Sequence, residues 1–352
     1  MPRTVLFAEV AGFYAAVERA ENPAVASRPI IVGGDPRKRG QVHAASSEAR
    51  NQGVEPGMSM LEALQRCPSA KALRTDMRRY REASRRLHVA LRSAHPDFEP
   101  FELGAVFAEL GRSRPEALRV GETMREVVRG ELSMELRVGI ASGKFLARLL
   151  AGEMEEEGVR EIVPGEERAF LAALPASRID GVGPKTEARL AEAGAHDIAG
   201  VAALGRERLE ELFGSHGLRI HALATGSDDE RVRARSYPKS LSRSTTLGRL
   251  DADVEQLSQS LGELTQRLAK DLGRQGLSAT KLALRVRFGD QRVVTRSRRL
   301  AQPCAGASDL LESASLLLAR IPAGSNRVHG LGVQLSGLVQ DGAGDAQLDL
   351  FD

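Results

Sequence analysis

Residues 179–186 read IDGVGPKT, and this stretch is the best guide to the fold. Its two glycines let the backbone pass through a tight turn, and its proline suits the first turn of a helix that follows. The free N–H groups at that helix start attract an anion. We predict a helix-hairpin-helix that grips a DNA backbone without reading bases, with an ordinary glycine turn as the alternative. The predicted contact residues are Gly181, Gly183, Lys185 and Thr186.

The segment that follows is strongly basic. Residues 231–300 contain 16 Lys or Arg and 6 Asp or Glu, a net charge of +10. The whole chain of 352 residues carries only +3, so the remainder carries −7. Such a separation of charge indicates a polyanion partner that the total charge would hide.

Two predicted strands organise this basic segment. Residues 281–288 read KLALRVRF, which alternates aliphatic and basic side chains with the period of a strand. A Gly-Asp turn then leads into a run with arginines at even spacing. We expect a hairpin that presents its arginines on one face and binds phosphates, while a solvated sheet face is the alternative. The predicted DNA contacts of this segment are Lys239, Ser240, Arg243, Arg285, Arg287, Arg296 and Arg298.

Composition excludes several classes of protein. Hydrophobic residues make up 42% of the chain and charged residues 28%, which is typical of a globular protein rather than a disordered one. No apolar run approaches the roughly 18 residues of a membrane span, and the N-terminus does not resemble a secretory signal. Cys67 and Cys304 are too few for a disulfide framework or a zinc site. These features predict a cytoplasmic protein without a membrane partner.

Several further motifs occur in a fixed order. They are GFYAAVE at 12–18, PIIVGG at 29–34, ARNQGV at 49–54, YREAS at 80–84, KFLAR at 144–148 and PKS at 238–240. Together they resemble the Y-family (translesion) DNA polymerases of the bacterial DinB type. The resemblance implies an α+β multidomain fold, a right-hand polymerase with palm, fingers, a helical thumb carrying the helix-hairpin-helix, and an α/β little finger. The implied bounds are palm 1–20 and 74–165, fingers 21–73, thumb 166–232, little finger 233–339 and a flexible tail 340–352.

The chain departs from the family at the catalytic carboxylates. Those polymerases use two Mg²⁺ ions held by acidic side chains. The matching positions here hold Glu9, Gly104 and Ala105, and a single carboxylate cannot hold two ions. We therefore expect no catalytic residues, no metal and no cofactor, and hence a protein that is not an enzyme. In this it resembles the ImuB family of mutasome accessory proteins, which act in translesion synthesis, DNA damage tolerance and SOS mutagenesis.

The family's nucleotide contacts are also reduced. The resemblance implies a nucleotide-binding remnant of Tyr14 and Arg50, while the triphosphate-contacting lysine falls at Glu155 in an acidic run. For Tyr14 we rank packing in the core ahead of sugar discrimination. An active polymerase remains the alternative, with Mg²⁺ at a relocated site built from Glu9, Glu102 and Glu109. A third hypothesis is a competitor that restrains other polymerases.

The tail, residues 346–352, reads AQLDLFD. It resembles the peptide by which related polymerases bind the bacterial sliding clamp, and a Gly-rich linker would deliver its apolar residues to a pocket. The predicted clamp contacts are Gln347, Leu348, Leu350 and Phe351. The expected partners are therefore DNA, as primer-template or single strand, the clamp, and as a further candidate another polymerase.

Overall fold

A computed structural model describes residues 3–111, 113–233, 239–247, 254–290, 292–321 and 328–340. The chain forms two compact units that divide after Arg235. The strands of the first unit are β1 (Val5–Glu9), β2 (Ile30–Gly33), β3 (Val42–Ala45), β4 (Lys71–Arg74), β5 (Glu99–Glu102), β6 (Ala105–Glu109), β7 (Arg137–Ala141) and β8 (Gly158–Glu161). Its helices are α1 (Phe13–Glu21), α2 (Ser47–Arg50), α3 (Met60–Arg66), α4 (Met77–Ala94), α5 (Arg114–Leu132), α6 (Lys144–Glu153), α7 (Glu167–Ala172), α8 (Pro184–Glu192), α9 (Ile198–Phe213) and α10 (Ser215–Ala224). The second unit contains β9 (Ser240–Thr246), α11 (Val254–Gln275), β10 (Leu277–Phe288), β11 (Val293–Cys304), α12 (Ala307–Leu318) and β12 (Val328–Gln340).

A five-stranded sheet with strand order β5-β6-β1-β7-β8 forms the centre of the first unit. Its central strand, β1, is apolar on both faces, as expected for a strand covered on both sides. Leu6 and Ala8 face a core shared with α4 and α5. Val5 and Phe7 face a second core, shared with α6 and with helices α7 to α10. The sheet is therefore the layer on which both sets of helices are fixed.

One row of residues crosses this sheet at the carboxyl end of β1. Glu9 lies opposite Arg137 of β7 on one side and opposite Ala105 of β6 on the other. Ala105 in turn lies opposite Glu102 of β5. Residues opposite one another in a sheet share a face, so Arg137, Glu9, Ala105 and Glu102 project to the same side. We call this set the palm row.

A three-stranded sheet, β3-β2-β4, lies over a small separate core. Residues 30–33 read IIVG and are wholly buried, which fixes β2 between its two neighbours. The core beneath it contains Met60 and Ala63 of α3 and Ala49 of α2. This packing positions α2, and with it Arg50 at the helix end.

The second unit is a four-stranded antiparallel sheet, β11-β10-β12-β9, covered on one face by α11 and α12. The predicted alternation in β10 is present, because Leu282, Leu284 and Val286 are fully buried against those helices. Arg285 and Arg287 therefore lie on the other face. No helix among the residues that the structure describes has the length and apolar character needed to cross a membrane.

Candidate active site and nucleic-acid contacts

A cavity of about 600 Å³ opens over the palm row in the first unit. Glu9, Glu102 and Ala105 form part of its lining, together with Arg50 and Tyr14. Two carboxylates and a guanidinium thus line one recess that also has an apolar wall. The sequence placed Glu9 and Arg50 in one site by resemblance, and the structure brings them to the same cavity.

The Glu9 carboxyl is mostly buried, and burial raises its pKa. The nearby Arg137 guanidinium opposes this rise, whereas the Glu102 carboxylate adds to it. The Glu102 carboxylate therefore lies near enough to Glu9 to disfavour the ionisation of Glu9.

Glu109 is not part of this group. It lies opposite Val5, at the other end of β1 from Glu9. Its carboxylate is 4.0 Å from an Arg3 nitrogen and 3.8 Å from an Arg231 nitrogen. The predicted three-carboxylate site of Glu9, Glu102 and Glu109 is thus wrong, because three residues of β6 lie between Glu109 and the palm row. Among the described residues no group of three or more His, Cys, Asp or Glu side chains could hold a metal ion.

Gly104 and Ala105 differ in the room they leave for the acids that the family carries there. A Cβ on Gly104 would lie 2.6 Å from the ring of Phe13, closer than real Cβ atoms approach. Ala105 is 4% exposed, lies between Glu9 and Glu102, and lines the cavity. The ring of Phe13 therefore fills the space beside Gly104, whereas Ala105 borders open space.

Arg50 lines the main cavity and also a smaller one of about 140 Å³. Burial lowers its pKa, as does the neighbouring Arg137, while Glu9 and Glu157 raise it. Glu157 lines the smaller cavity, and Glu155, which is likewise exposed, accepts a hydrogen bond from Arg137 at its carbonyl oxygen. Within the acidic run 155–157, Glu157 is the acid that lies beside Arg50.

Tyr14 is half-buried and lines the main cavity. Its ring stacks on Tyr80 with centroids 4.3 Å apart and an angle of 9°. Tyr80 is fully buried and donates a 2.8 Å hydrogen bond to Glu18; burial and this bond raise the pKa of Tyr80. One face of Tyr14 is thus fixed by packing while the cavity side stays accessible, so core packing and a role in the cavity coexist.

The predicted helix-hairpin-helix turn is present. Gly181 adopts φ +89°, and a Cβ there would lie 2.7 Å from the His216 ring. Gly183 is the N-cap of α8, where no side chain caps the helix, and Pro184 is its first residue. A 3₁₀ turn rather than an α-helix precedes the motif. The predicted residues Gly181, Gly183 and Lys185 are exposed and Thr186 is half-buried.

A cleft of about 260 Å³ marks the open face of the four-stranded sheet. Arg285 lies opposite Gly332, which lies opposite Ser244; Arg287, Gly330 and Thr246 repeat the pattern. The glycines leave a groove between the arginines and the hydroxyl groups, and Arg287 donates across it to Thr246 at 3.2 Å. We call these six residues the sheet cleft: Arg285, Arg287, Gly330, Gly332, Ser244 and Thr246.

The pairing of β10 with β11 corrects the predicted arginine face. Arg296 lies opposite Leu284 and Arg298 opposite Leu282, so both lie on the helix side of the sheet. Arg243 lies opposite Val333 on that same side and forms an ion pair with Asp271. Of the other predicted contacts, Ser240 shares the open face with Arg285, and Lys239 is exposed just before β9.

Sequence reasoning missed four polar residues of the open face. Lys281 lies opposite Arg299 on β11, which adds two cations beside the cleft. The hydroxyls of Ser244 and Thr246 line the cleft itself. The period-2 alternation of β9, with Ser and Thr at even positions, was the signal available in the sequence.

The fold is that of the right-hand polymerase class. Solved structures with this architecture include an insertion ternary complex of Dbh DNA polymerase and DinB from Sulfolobus solfataricus. They match with TM-scores of 0.77 and 0.72 at 21% and 22% identity, over 96% and 95% of this chain and 99% and 98% of theirs. These likenesses establish the fold.

Sequence comparison then identifies the family. Residues 9–152 match the impB/mucB/samB family, and residues 238–350 match its C-terminal domain. DNA polymerase IV of Alkalilimnicola ehrlichii is 32% identical over 96% of both chains. DNA polymerase IV of Methanoculleus marisnigri is 33% identical over 99% of this chain and 98% of the relative. The chain belongs to the impB/mucB/samB family, and its fold is that of the Y-family DNA polymerases.

These relatives correct one expectation. The chain was predicted not to be an enzyme because of Gly104 and Ala105. Relatives that align with nearly its whole length are named as DNA polymerases, which contradicts that prediction. The loss of family carboxylates at two positions is therefore insufficient grounds for excluding an enzyme.

Proposed function

We propose that the chain is a DNA-directed DNA polymerase that copies damaged templates in translesion synthesis. The relatives named DNA polymerase IV, which align with nearly the whole chain, support this proposal. The observation that carries it is the palm row, in which Glu9 and Glu102 flank the small Ala105 at the floor of the cavity. This pair is the relocated acidic site, without Glu109.

The donor set fits one Mg²⁺ ion. Mg²⁺ keeps several water ligands and is commonly held by one or two carboxylates together with substrate phosphates. Glu9 and Glu102 would supply the two carboxylates, and burial of Glu9 supplies the electrostatic need for a cation. When bound, the ion would neutralise charge at the transferring phosphoryl group and lower the pKa of the attacking hydroxyl.

The other residues of the cavity would position the substrates. Arg50 can donate paired hydrogen bonds to phosphate oxygens from the end of α2. Tyr14, supported on Tyr80, presents a fixed ring edge against which a nucleotide sugar can be placed. The helix start at Pro184 and the sheet cleft offer backbone-directed contacts for DNA.

Primer extension on an undamaged template, with Mg²⁺ or Mn²⁺, tests this function. The unaltered protein should incorporate nucleotides, and Glu9→Gln or Glu102→Gln should reduce the rate on the order of 100- to 1,000-fold, as for loss of one electrostatic contact in an active site. Glu109→Gln is the matched control and should incorporate at nearly the unaltered rate. Absence of incorporation with both metals would refute the proposal.

We also propose that the tail binds the sliding clamp. The residues concerned, Gln347, Leu348, Leu350 and Phe351, lie outside the described residues, so support comes from their sequence alone. Apolar side chains on a polar segment favour a partner with an apolar pocket. Clamp pull-down should be lost for Leu350→Ala/Phe351→Ala and kept for Asp345→Ala, and equal recovery of both variants would exclude this role.

A further inference from the structure

Arg137 is a buried cation outside the set of residues proposed to bind Mg²⁺ or substrate. It begins β7 and is 8% exposed. Arginine is seldom buried to this degree unless its donors are paired. No role was predicted for Arg137, although it is the only charged residue in the otherwise apolar run 136–141, LRVGIA.

Its hydrogen bonds leave the guanidinium incompletely paired. One terminal nitrogen donates to the Glu155 carbonyl oxygen at 3.0 Å. The Nε atom is buried and has no hydrogen-bond partner among the residues that the structure describes. A guanidinium carries five donors, and a buried donor without an acceptor is costly. Within the described part of the chain, this donor therefore lacks an acceptor.

The groups around Arg137 identify the missing acceptor as an anion. Glu9 faces it across the strand pair, and Arg137 lies near enough to Arg50 to lower the pKa of Arg50. Two guanidinium groups near one another repel, and the Glu9 carboxylate, which interacts with both, is shared between them. Arg50 lines both cavities, and the smaller is also lined by Ser46, Ser47 and Ser133, whose hydroxyls can donate to phosphate oxygens.

We infer that Arg137 and Arg50 together bind the phosphates of the incoming nucleotide, with Arg137 supplying a second cation from the sheet. This inference rests on the proposed polymerase function. The loop that precedes β8 carries Glu155 and Glu157, which repel a triphosphate. Arg137 supplies positive charge from β7 instead, and the Glu155 carbonyl holds its guanidinium in place.

Nucleotide affinity of the protein–DNA complex tests this role. A primer ending in a dideoxynucleotide prevents incorporation, so the Kd of the matching deoxynucleoside triphosphate can be measured with Mg²⁺ present. Arg137→Gln should raise this Kd about 10- to 100-fold, the cost of a charge-assisted hydrogen bond. Arg137→Lys keeps the positive charge but loses the planar, two-pronged guanidinium, so its Kd should lie between those of the unaltered protein and Arg137→Gln. The affinity for the unphosphorylated deoxynucleoside should not change.

Arg114→Gln is the matched control. Arg114 also belongs to the first unit, but its Nε and a terminal nitrogen are both bonded to Glu161. Its triphosphate Kd should equal that of the unaltered protein. An unchanged Kd for Arg137→Gln, with or without a lower Tm, would overturn the inference. It would show that Arg137 has only a structural role in β7. If Arg137→Gln does not fold, an unchanged Kd for Arg137→Lys overturns it equally.

Failure of the proposed function would look different. In that case the unaltered complex would neither bind the triphosphate nor extend a normal primer. If the unaltered protein binds and extends while the Arg137 variants match it, only the inference about Arg137 fails.

Discussion

The palm row and the sheet cleft are both built from residues aligned across a β-sheet, yet they suit different ligands. Each places a residue with little or no side chain between polar neighbours: Ala105 in the palm row, and Gly330 and Gly332 in the cleft. The palm row has one cation, Arg137, and two acids, Glu9 and Glu102; Arg137 is buried, Glu9 is half-buried and Glu102 is exposed. The cleft has arginines opposite neutral hydroxyl groups and lies on an open face.

This difference predicts how each site behaves. A partly buried row of mixed charge can hold a cation and an anion together, as a metal–nucleotide complex requires, and it depends on the size and charge of its buried members. An exposed row of arginines holds one polyanion through screened contacts, each of modest strength. Changes in the palm row should therefore act on stability and metal response, and changes in the cleft on salt-dependent DNA affinity.

The largest expected effect is from Ala105→Glu, which places a third acid between Glu9 and Glu102. An uncompensated buried charge typically costs about 3–5 kcal/mol, so the variant should have a much lower Tm without divalent ions. Mg²⁺ should restore much of this loss because three carboxylates then share a cation. Thermal unfolding with and without Mg²⁺ measures both effects.

Gly104→Asp is the comparison for that variant. Its Cβ would collide with the Phe13 ring, so the lower Tm should not recover with Mg²⁺. If Mg²⁺ restores the Tm of both variants equally, position 105 is no more open to an added acid than position 104, which Phe13 fills.

In the sheet cleft, Arg285→Gln/Arg287→Gln should weaken DNA binding by roughly tenfold per arginine at low salt, since bonds to charged groups contribute about 1.5–3 kcal/mol. The slope of log affinity against log salt should decrease by about one unit per arginine. Fluorescence anisotropy with labelled primer-template across a salt series provides the measurement. Arg296→Gln/Arg298→Gln, on the helix side, should change the affinity less; an equal loss would show that the open face is not the contact surface.

Local features of the chain, such as helix starts and the buried face of a strand, could be predicted from the sequence. The helix start at Pro184 follows from glycine and proline at fixed positions, and the buried face of β10 follows from its alternation. Both depend on residues close together in the chain, whose steric preferences act directly on the local backbone.

Strand register could not be predicted in the same way. A shift of one residue moves a whole strand to the opposite face, and nothing local to the β10–β11 turn fixed it; Arg296 and Arg298 were therefore assigned to the wrong side. The same dependence on pairing separated Glu109 from Glu9 and brought Arg137 beside it. The motif resemblance identified the cavity, but only the register showed which charges meet in it.

A smaller effect is expected at the helix-hairpin-helix. Gly181→Ala forces an L-residue into the left-handed region at φ +89° and brings its Cβ against His216, so the free energy of unfolding should fall by about 1–2 kcal/mol. DNA affinity should also decrease because the turn moves. Gly183→Ala is the control, since its φ is −96° and nothing lies within 4 Å of the added Cβ. Chemical denaturation of both variants tests the contrast, and equal stabilities would contradict it.

The smallest effect should be the pH dependence of stability caused by Glu9. Because burial raises its folded-state pKa above the ordinary 4.5, protonated Glu9 favours folding at low pH, and this contribution is lost as pH rises through the raised pKa. Glu9→Gln should therefore increase the free energy of unfolding at pH 7.5, and the gain should shrink towards pH 4.5. Denaturant midpoints across that range provide the measurement, with Glu109→Gln as a control that lacks this pattern. If Glu9→Gln is more stable at pH 7.5 but cannot extend a primer, the ionised Glu9 carboxylate destabilises the metal-free protein. If Glu9→Gln is instead less stable at pH 7.5, Arg137 and Arg50 already compensate the charge of Glu9.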